Sequence, residues 1–374
     1  MAEPILKLDR YVLLEEIGTG GMATVYKAKN TGPMGFEKLA AVKLLHPDFG
    51  AGSDVVRMFI DEARIGARLS HPNVIGVTDF GQIENHYFMA MEFVEGCNLS
   101  TLIKPGAARA ARPLPLSAAA CVMCDVLQGL EYVHAVKDEK GRSLGIVHRD
   151  ISPQNIMIDR SGRSKIGDFG IATGQFRESF TNAGIVKGKV SYMSPEQAAG
   201  KPLDGRSDIA AAGLTLFAAL SGQSAFGTGD TIAVLARAEE GLKPESVKAL
   251  ECPDEIREII LKATCARIQD RFQTAREFRE ALAAAVPDFD GHGRELLAGM
   301  VTRASKAPSG RKKAKEQTAR VPGPEPRPTA SSMLSRSMPS VPVSGLTIQT
   351  YRVLTGAVLL ASIVALLLAM PWSA

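Results

Sequence analysis

At 374 residues the chain is longer than one compact domain needs and suits two lobes with an appendage. It is 45% hydrophobic and 22% charged, which excludes a disordered, collagenous or multi-span membrane protein. The net charge of +4 is uneven: residues 303–352 hold ten basic and two acidic residues, so the remainder is net acidic, unlike a nucleic-acid-binding globule with its excess on a folded face.

In chain order, Tyr11-Val-Leu-Leu and Thr24-Val-Tyr-Lys-Ala are predicted strands flanking a glycine cluster, Gly18-Thr-Gly-Gly-Met-Ala. A third strand covers Leu39–Leu45. Met58 to Leu69 has helical spacing, with Phe59, Ala63, Gly66 and Ala67 on one small-residue face, and His71-Pro72-Asn73 ends it. Strands over Val74–Phe80 and His86–Val94 complete a small, β-rich part. From Ser117, an N-cap candidate, the pattern turns helical: Ala118–His134, then about Ser207–Ser221, then amphipathic stretches to about Val286. Five cysteines, at 97, 121, 124, 252 and 265, lack disulfide-framework spacing and suit a reducing compartment. Cys121-x-x-Cys124 is expected as a pair of buried thiols. Met1–Arg10 has neither the apolar core nor the cleavage site of a secretory signal.

Composition shifts after about Asp288. Residues 303–352 carry seven prolines and eight serines, with no aromatic before Tyr351. Such a segment buries too little surface to offset its ordering entropy, so 287–352 is expected as a basic, disordered linker. Val353–Met370 then runs eighteen residues without a charge. As a helix it is about 27 Å long, close to the hydrocarbon thickness of a bilayer. We expect a single span, with the basic linker holding the globule on the cytoplasmic side of the inner (plasma) membrane. Ala357, Ala361, Ala365 and Ala369 recur every fourth residue, a ridge on which two copies could pair as a homodimer.

The chemistry sits in four places. A glycine cluster between two strands is either an ordinary hairpin turn or a backbone open to phosphate. A strand follows it, so it is no dinucleotide fingerprint, and no Gly-Lys-Ser/Thr follows, so it is no P-loop. Lys43 lies in an apolar strand, where an unpaired ammonium is expensive. Glu62 on the next helix can pair with it, functionally or as a structural salt bridge. His148-Arg149-Asp150-Ile-Ser-Pro-Gln-Asn155 and Asp168-Phe169-Gly170 place carboxylates and an amide in loops. Asn155 and Asp168 offer hard oxygens suited to magnesium, leaving Asp150 as a base near a substrate hydroxyl.

The ordered set, with Ser194-Pro195-Glu196, resembles the protein-kinase superfamily, specifically bacterial serine/threonine kinases of eukaryotic type, over residues 11–286. The resemblance implies an α+β, two-lobe fold: a β-rich N-lobe at about 11–95 and a larger helical C-lobe at about 96–286. It implies ATP and Mg2+ as cofactors, protein substrates and no nucleic-acid partner. Ile17, Gly18, Gly20, Gly21 and Val25 would cover the nucleotide, and Ala41 would line its roof. Lys43, positioned by Glu62, would hold the α- and β-phosphates. Met91 would be the gatekeeper, the backbone of Glu92 and Val94 would meet the adenine edge, and Met157 would form its floor. Asp150 would accept the hydroxyl proton, while Asn155 and Asp168 would bind magnesium. Glu196 would pair with Arg271, and Asp208 would hold the catalytic loop. Phosphorylation at Thr181, or else Ser179, would order the activation segment through Arg149.

Four positions depart from the family pattern: Ala23, Gly66, Ser152 and Lys189. Gly66 replaces a bulky residue and is expected to leave its helix loosely packed. Ser152 stands where the catalytic-loop lysine belongs, and Lys189 where a threonine belongs. A swap is expected, with the Lys189 ammonium near Asp150 and Ser152 hydrogen-bonded in the vacated space. A pseudokinase scaffold is the alternative to an active, autophosphorylating enzyme.

Overall fold

The computed structural model describes residues 5–50, 52–84, 86–103, 112–170, 189–227 and 229–306. Six strands form the first sheet: β1 (Leu6–Leu8), β2 (Tyr11–Thr19), β3 (Ala23–Thr31), β4 (Glu37–Leu45), β5 (Val77–Ile83) and β6 (His86–Glu92). Their order is β1-β2-β3-β4-β6-β5, antiparallel throughout. Alternation decides the faces. Tyr11, Leu13, Ala28, Ala40, Val42, Phe88 and Ala90 pack on one side, while Val25, Ala41 and Lys43 lie on the other. β5 starts three residues later than expected, because Val74 and Ile75 pair with Ile166 of the other lobe instead.

Helix α1 (Asp54–Gly66) lies against the sheet. Ser53 caps it by accepting a hydrogen bond from the Val56 amide, so it begins a turn before the apolar periodicity suggests. Val56, Phe59, Glu62, Ala63 and Gly66 form its buried face. Gly66 does not loosen the packing. A Cβ there would lie 2.4 Å from Val77 Cγ2, so the missing side chain lets α1 approach β5 closely.

The C-lobe begins with β7 (Gly96–Asn98), α2 (Leu99–Ile103) and α3 (Leu116–Ala135). Ser117 is not the N-cap of α3: the helix starts at Leu116 behind Pro115, without a side-chain cap. Two short strands, β8 (Ile156–Asp159) and β9 (Ser164–Ile166), pair with β7 in the order β7-β8-β9. Then come α4 (Pro195–Ala198), α5 (Gly205–Ser221), α6 (Thr231–Glu240), α7 (Pro244–Lys248), α8 (Asp254–Ala263) and α9 (Ala275–Ala285). α3 and α5 are apolar nearly all round because both run through the lobe's core. Among the described residues only α3 is long and apolar enough to cross a bilayer, and most of it is buried in the lobe.

The chain after Val286 does not go straight into a linker. Helix α10 (Phe289–Lys306) packs on α3, burying Leu297 and Val301 completely. Gly293 makes this possible, since a Cβ there would lie 2.3 Å from the Ser117 carbonyl oxygen. Composition hid the helix, because three glycines and a charged outer face dilute its apolar stripe. The expected linker from 307, the span at 353–370, its alanine ridge, Ser179 and Thr181 all lie outside the described residues.

Candidate active site

The inner face of the first sheet carries half of the site. Val25 pairs with Lys43, and Ala41 with Met91, placing Val25, Ala41, Lys43 and Met91 as cross-strand and same-face neighbours. Ile17 is partly exposed at the end of β2, and Gly18 pairs with Val25. A side chain built at Gly18 or Gly21 would meet nothing within 4 Å, so the space beside the loop is open to a ligand.

Lys43 is the joint between the lobes. It is 7% exposed, and its ammonium lies 2.7 Å from Glu62 Oε1 and 3.0 Å from Asp168 Oδ1. Burial alone would lower its pKa. The carboxylates of Asp168 and Glu62 reverse this and hold the pKa above the ordinary lysine value. Lys43 is therefore a fixed cation at neutral pH, and α1 sits where Glu62 reaches it.

The catalytic loop between α3 and β8 is held from below by a buried carboxylate. Asp208, in the first turn of α5 and fully buried, accepts hydrogen bonds from the backbone amides of His148 and Arg149, each at 2.8 Å. His134 Nε2 sits 2.8 Å from the same carboxylate. Burial would raise the Asp208 pKa, yet the His134 contact and the donated amides leave it below the usual aspartate value. Arg149 takes a left-handed φ of +67° and Asp168 one of +55°. Such strain persists in non-glycine residues only where neighbours over-determine it. At Arg149 those neighbours are Asp208 on its amide and Gln197 Nε2, which donates to its carbonyl at 2.8 Å.

The position of Asn155 follows from the same loop. Its Nδ2 donates to the Asp150 carbonyl at 2.8 Å, leaving Oδ1 as the oxygen it can offer a cation. Asp168 is half exposed, and Phe169 beside it is buried against the His148 ring at 4.5 Å. Among the described residues no three His, Cys, Asp or Glu side chains cluster as a closed metal site. One amide and one carboxylate suit magnesium, which takes few protein oxygens and completes its shell with water and phosphate. At the positions expected to meet adenine, the Glu92 amide already donates to the Gly76 carbonyl at 2.9 Å, so its carbonyl is what it can offer. Val94 is buried, and Met157 is half-buried opposite Asn98.

Glu196 and Arg271 form the expected pair, 2.7 Å apart and both buried, with Ser207 donating to Glu196 at 2.6 Å. Ser152 differs from expectation. Its hydroxyl is buried and has no hydrogen-bond partner among the described residues. Lys189 opens a 3-10 turn, Lys189–Tyr192, but its side chain lies outside the description. The expectations passed over Gln197, whose Oε1 also accepts from the Ser194 amide at 3.0 Å. The signal was present: Ser194-x-x-Gln197 is a capping box. Cys121 and Cys124 are buried thiols, each pushed up to about 12 by burial.

Known proteins resemble this chain in sequence and fold. The family described as "Protein kinase domain" matches residues 11–283. The tyrosine-protein kinase MasK of Myxococcus xanthus is 40% identical over 273 residues, 73% of this chain and 42% of MasK. The probable serine/threonine-protein kinase PknB of Lactococcus lactis is 34% identical over 290 residues, covering 77% of this chain and 44% of PknB. This chain thus spans less than half the length of these curated relatives. The crystal structure of the M. tuberculosis PknI kinase domain superposes with a TM-score of 0.58 at 26% identity, covering 77% of this chain and all of that one. The chain belongs to the protein kinase family, among the bacterial kinases of eukaryotic type.

Proposed function

We propose that the protein is an active serine/threonine kinase that phosphorylates itself and protein substrates from a membrane anchor. The observation that carries the catalytic part is the buried Lys43, bonded at once to Glu62 at 2.7 Å and Asp168 at 3.0 Å. A scaffold with no transfer to perform has little reason to keep a buried cation shared between helix α1 and the metal-side carboxylate. In this reading the ammonium of Lys43 holds the α- and β-phosphates of ATP. Asn155 Oδ1 and the Asp168 carboxylate hold Mg2+, which supplies charge to offset that on the phosphate oxygens. The Asp150 carboxylate orients the substrate hydroxyl and accepts its proton. An oxygen–phosphorus bond to the substrate forms, the bond to the β-phosphate oxygen breaks, and ADP leaves. Backbone groups of Glu92 and Val94 meet the adenine, with Ala41, Val25 and Met157 around it.

Serine and threonine are favoured as acceptors by the relatives named serine/threonine kinases. The Myxococcus relative's name makes tyrosine the competing acceptor. Acid hydrolysis of protein labelled with [γ-32P]ATP separates the two: phosphoserine and phosphothreonine are expected, and phosphotyrosine alone contradicts the proposal.

A further inference from the structure

The tip of the glycine-rich loop is bonded to one residue that the kinase reading leaves idle. His46 follows the last residue of β4, three positions beyond Lys43. Its backbone amide donates to the Met22 carbonyl at 2.9 Å, and its Nε2 lies 3.0 Å from Thr24 Oγ1. Thr24 is 8% exposed and sits one residue past the turn that the Gly20 amide closes on the Ala23 carbonyl. The contacts continue across the hairpin: Thr24 Oγ1 is 3.5 Å from Thr19 Oγ1, which donates to Glu16 Oε1 at 2.5 Å. A carboxylate only accepts, and each hydroxyl has one proton to give. Thr19 gives its proton to Glu16, so it can only accept across the long contact with Thr24, and the short His46–Thr24 bond anchors the set.

We infer that His46 is a positioning residue for nucleotide binding, tethering the tip of the glycine-rich loop through Thr24 to the strand that carries Lys43. This rests on the reading that nucleotide phosphates lie beneath that loop. Glycines at 18, 20 and 21 give the backbone close access to phosphate but also leave it free to wander. The relay across β2, β3 and the end of β4 removes part of that freedom before the ligand arrives, and pre-organisation of this kind raises affinity by lowering the ordering cost. Its effect falls on phosphate-bearing ligands, because adenine and ribose meet other parts of the site.

The test uses the full chain in detergent with two substitutions, Thr24→Val and His46→Phe, each keeping bulk while removing the hydrogen bond. Amide hydrogen exchange on the unliganded protein reads the tether directly. Faster exchange at Gly20 and at residue 46 is expected in both variants, with unchanged exchange in β5 and α3. Calorimetric titration with Mg-ATP, Mg-ADP and adenosine reads the consequence. Kd for both nucleotides should rise about three- to tenfold, the scale of one net hydrogen bond, while that for adenosine stays within twofold. The double variant should be no worse than the worse single one, since both break one relay. Unchanged exchange at the loop, or an adenosine affinity that falls in parallel with ATP, overturns the assignment. A wild-type protein that binds nucleotide but transfers no phosphate overturns the proposed function and leaves this inference to stand or fall on the same readings. A wild type that binds none overturns the inference along with that function.

Discussion

At the scale of residues, the site is a set of charges made permanent by burial and pairing. Glu196 and Arg271 show the cost most clearly. Burial would raise the Glu196 pKa, but hydrogen bonds from Arg271 and Ser207 leave it below the usual value of 4.5. The folded value is the lower one, so the pair's stabilisation is complete above 4.5 and is lost as pH falls through the folded pKa. Glu196→Gln leaves a fully buried guanidinium short of its counter-charge and should cost about 3–5 kcal/mol at pH 7. In urea titrations the gap to wild type should narrow below pH 4.5, and a gap independent of pH would contradict the assignment. Lys189 carries a second prediction. If its ammonium serves in place of the missing catalytic-loop lysine, Lys189→Met should slow phosphate transfer on the order of 100-fold, about 2.7 kcal/mol. Ser152→Lys with Lys189→Thr should restore more activity than the single effects sum to, and additive losses would end the swap. The Ser152 hydroxyl, without a hydrogen bond among the described residues, departs from the bonded serine the swap expects, so these variants decide it.

At the scale of elements, much of the site could be read in the sequence, because each motif is a short run with its own chemistry. Lys43, Glu62, Asp150, Asn155 and Asp168 stood out as candidates by residue type, order and family resemblance, and the fold brings Lys43, Glu62 and Asp168 together. What could not be read were relations between distant segments. Gly66 invited a prediction of loose packing, since a sequence does not say that Val77 lies against it. Val74 and Ile75 carry strand propensity, but their partner is Ile166, across the lobes. α10 was hidden for the same reason: its stripe of Gly293, Leu297 and Val301 makes sense only against α3. Arg294 on this helix binds Asp125 of α3 at 3.1 Å, and Asp125 also accepts from the Ser164 amide at 2.7 Å. α10 is thus bonded through Asp125 to β9, the strand that leads into Asp168. Arg294→Met should lower Tm by several degrees, the effect of about 1–3 kcal/mol in a domain of this size. Truncation at Val286 should cost more than that, by exposing Cys121 and the neighbouring face of α3. A truncated protein as stable as the full chain would make α10 an appendage.

At the scale of the whole molecule, the two-lobe fold brings Lys43 of the N-lobe within 3.0 Å of Asp168 of the C-lobe. This places the proposed chemistry in the cleft. The uncharged run 353–370 behind a basic segment supports a membrane anchor in the proposed function. Full-length protein should pellet with membranes and resist carbonate, while a chain ending at 352 should be released; equal release of both removes the anchor. The most direct measurement of the central claim is magnesium-dependent transfer of phosphate from [γ-32P]ATP by purified full-length protein, beside Asp168→Asn. An active kinase predicts incorporation that needs Mg2+ and falls at least 100-fold in Asp168→Asn, about 2.7 kcal/mol of transition-state stabilisation. Incorporation equal in the two proteins, or none in wild type under any metal tested, would contradict it.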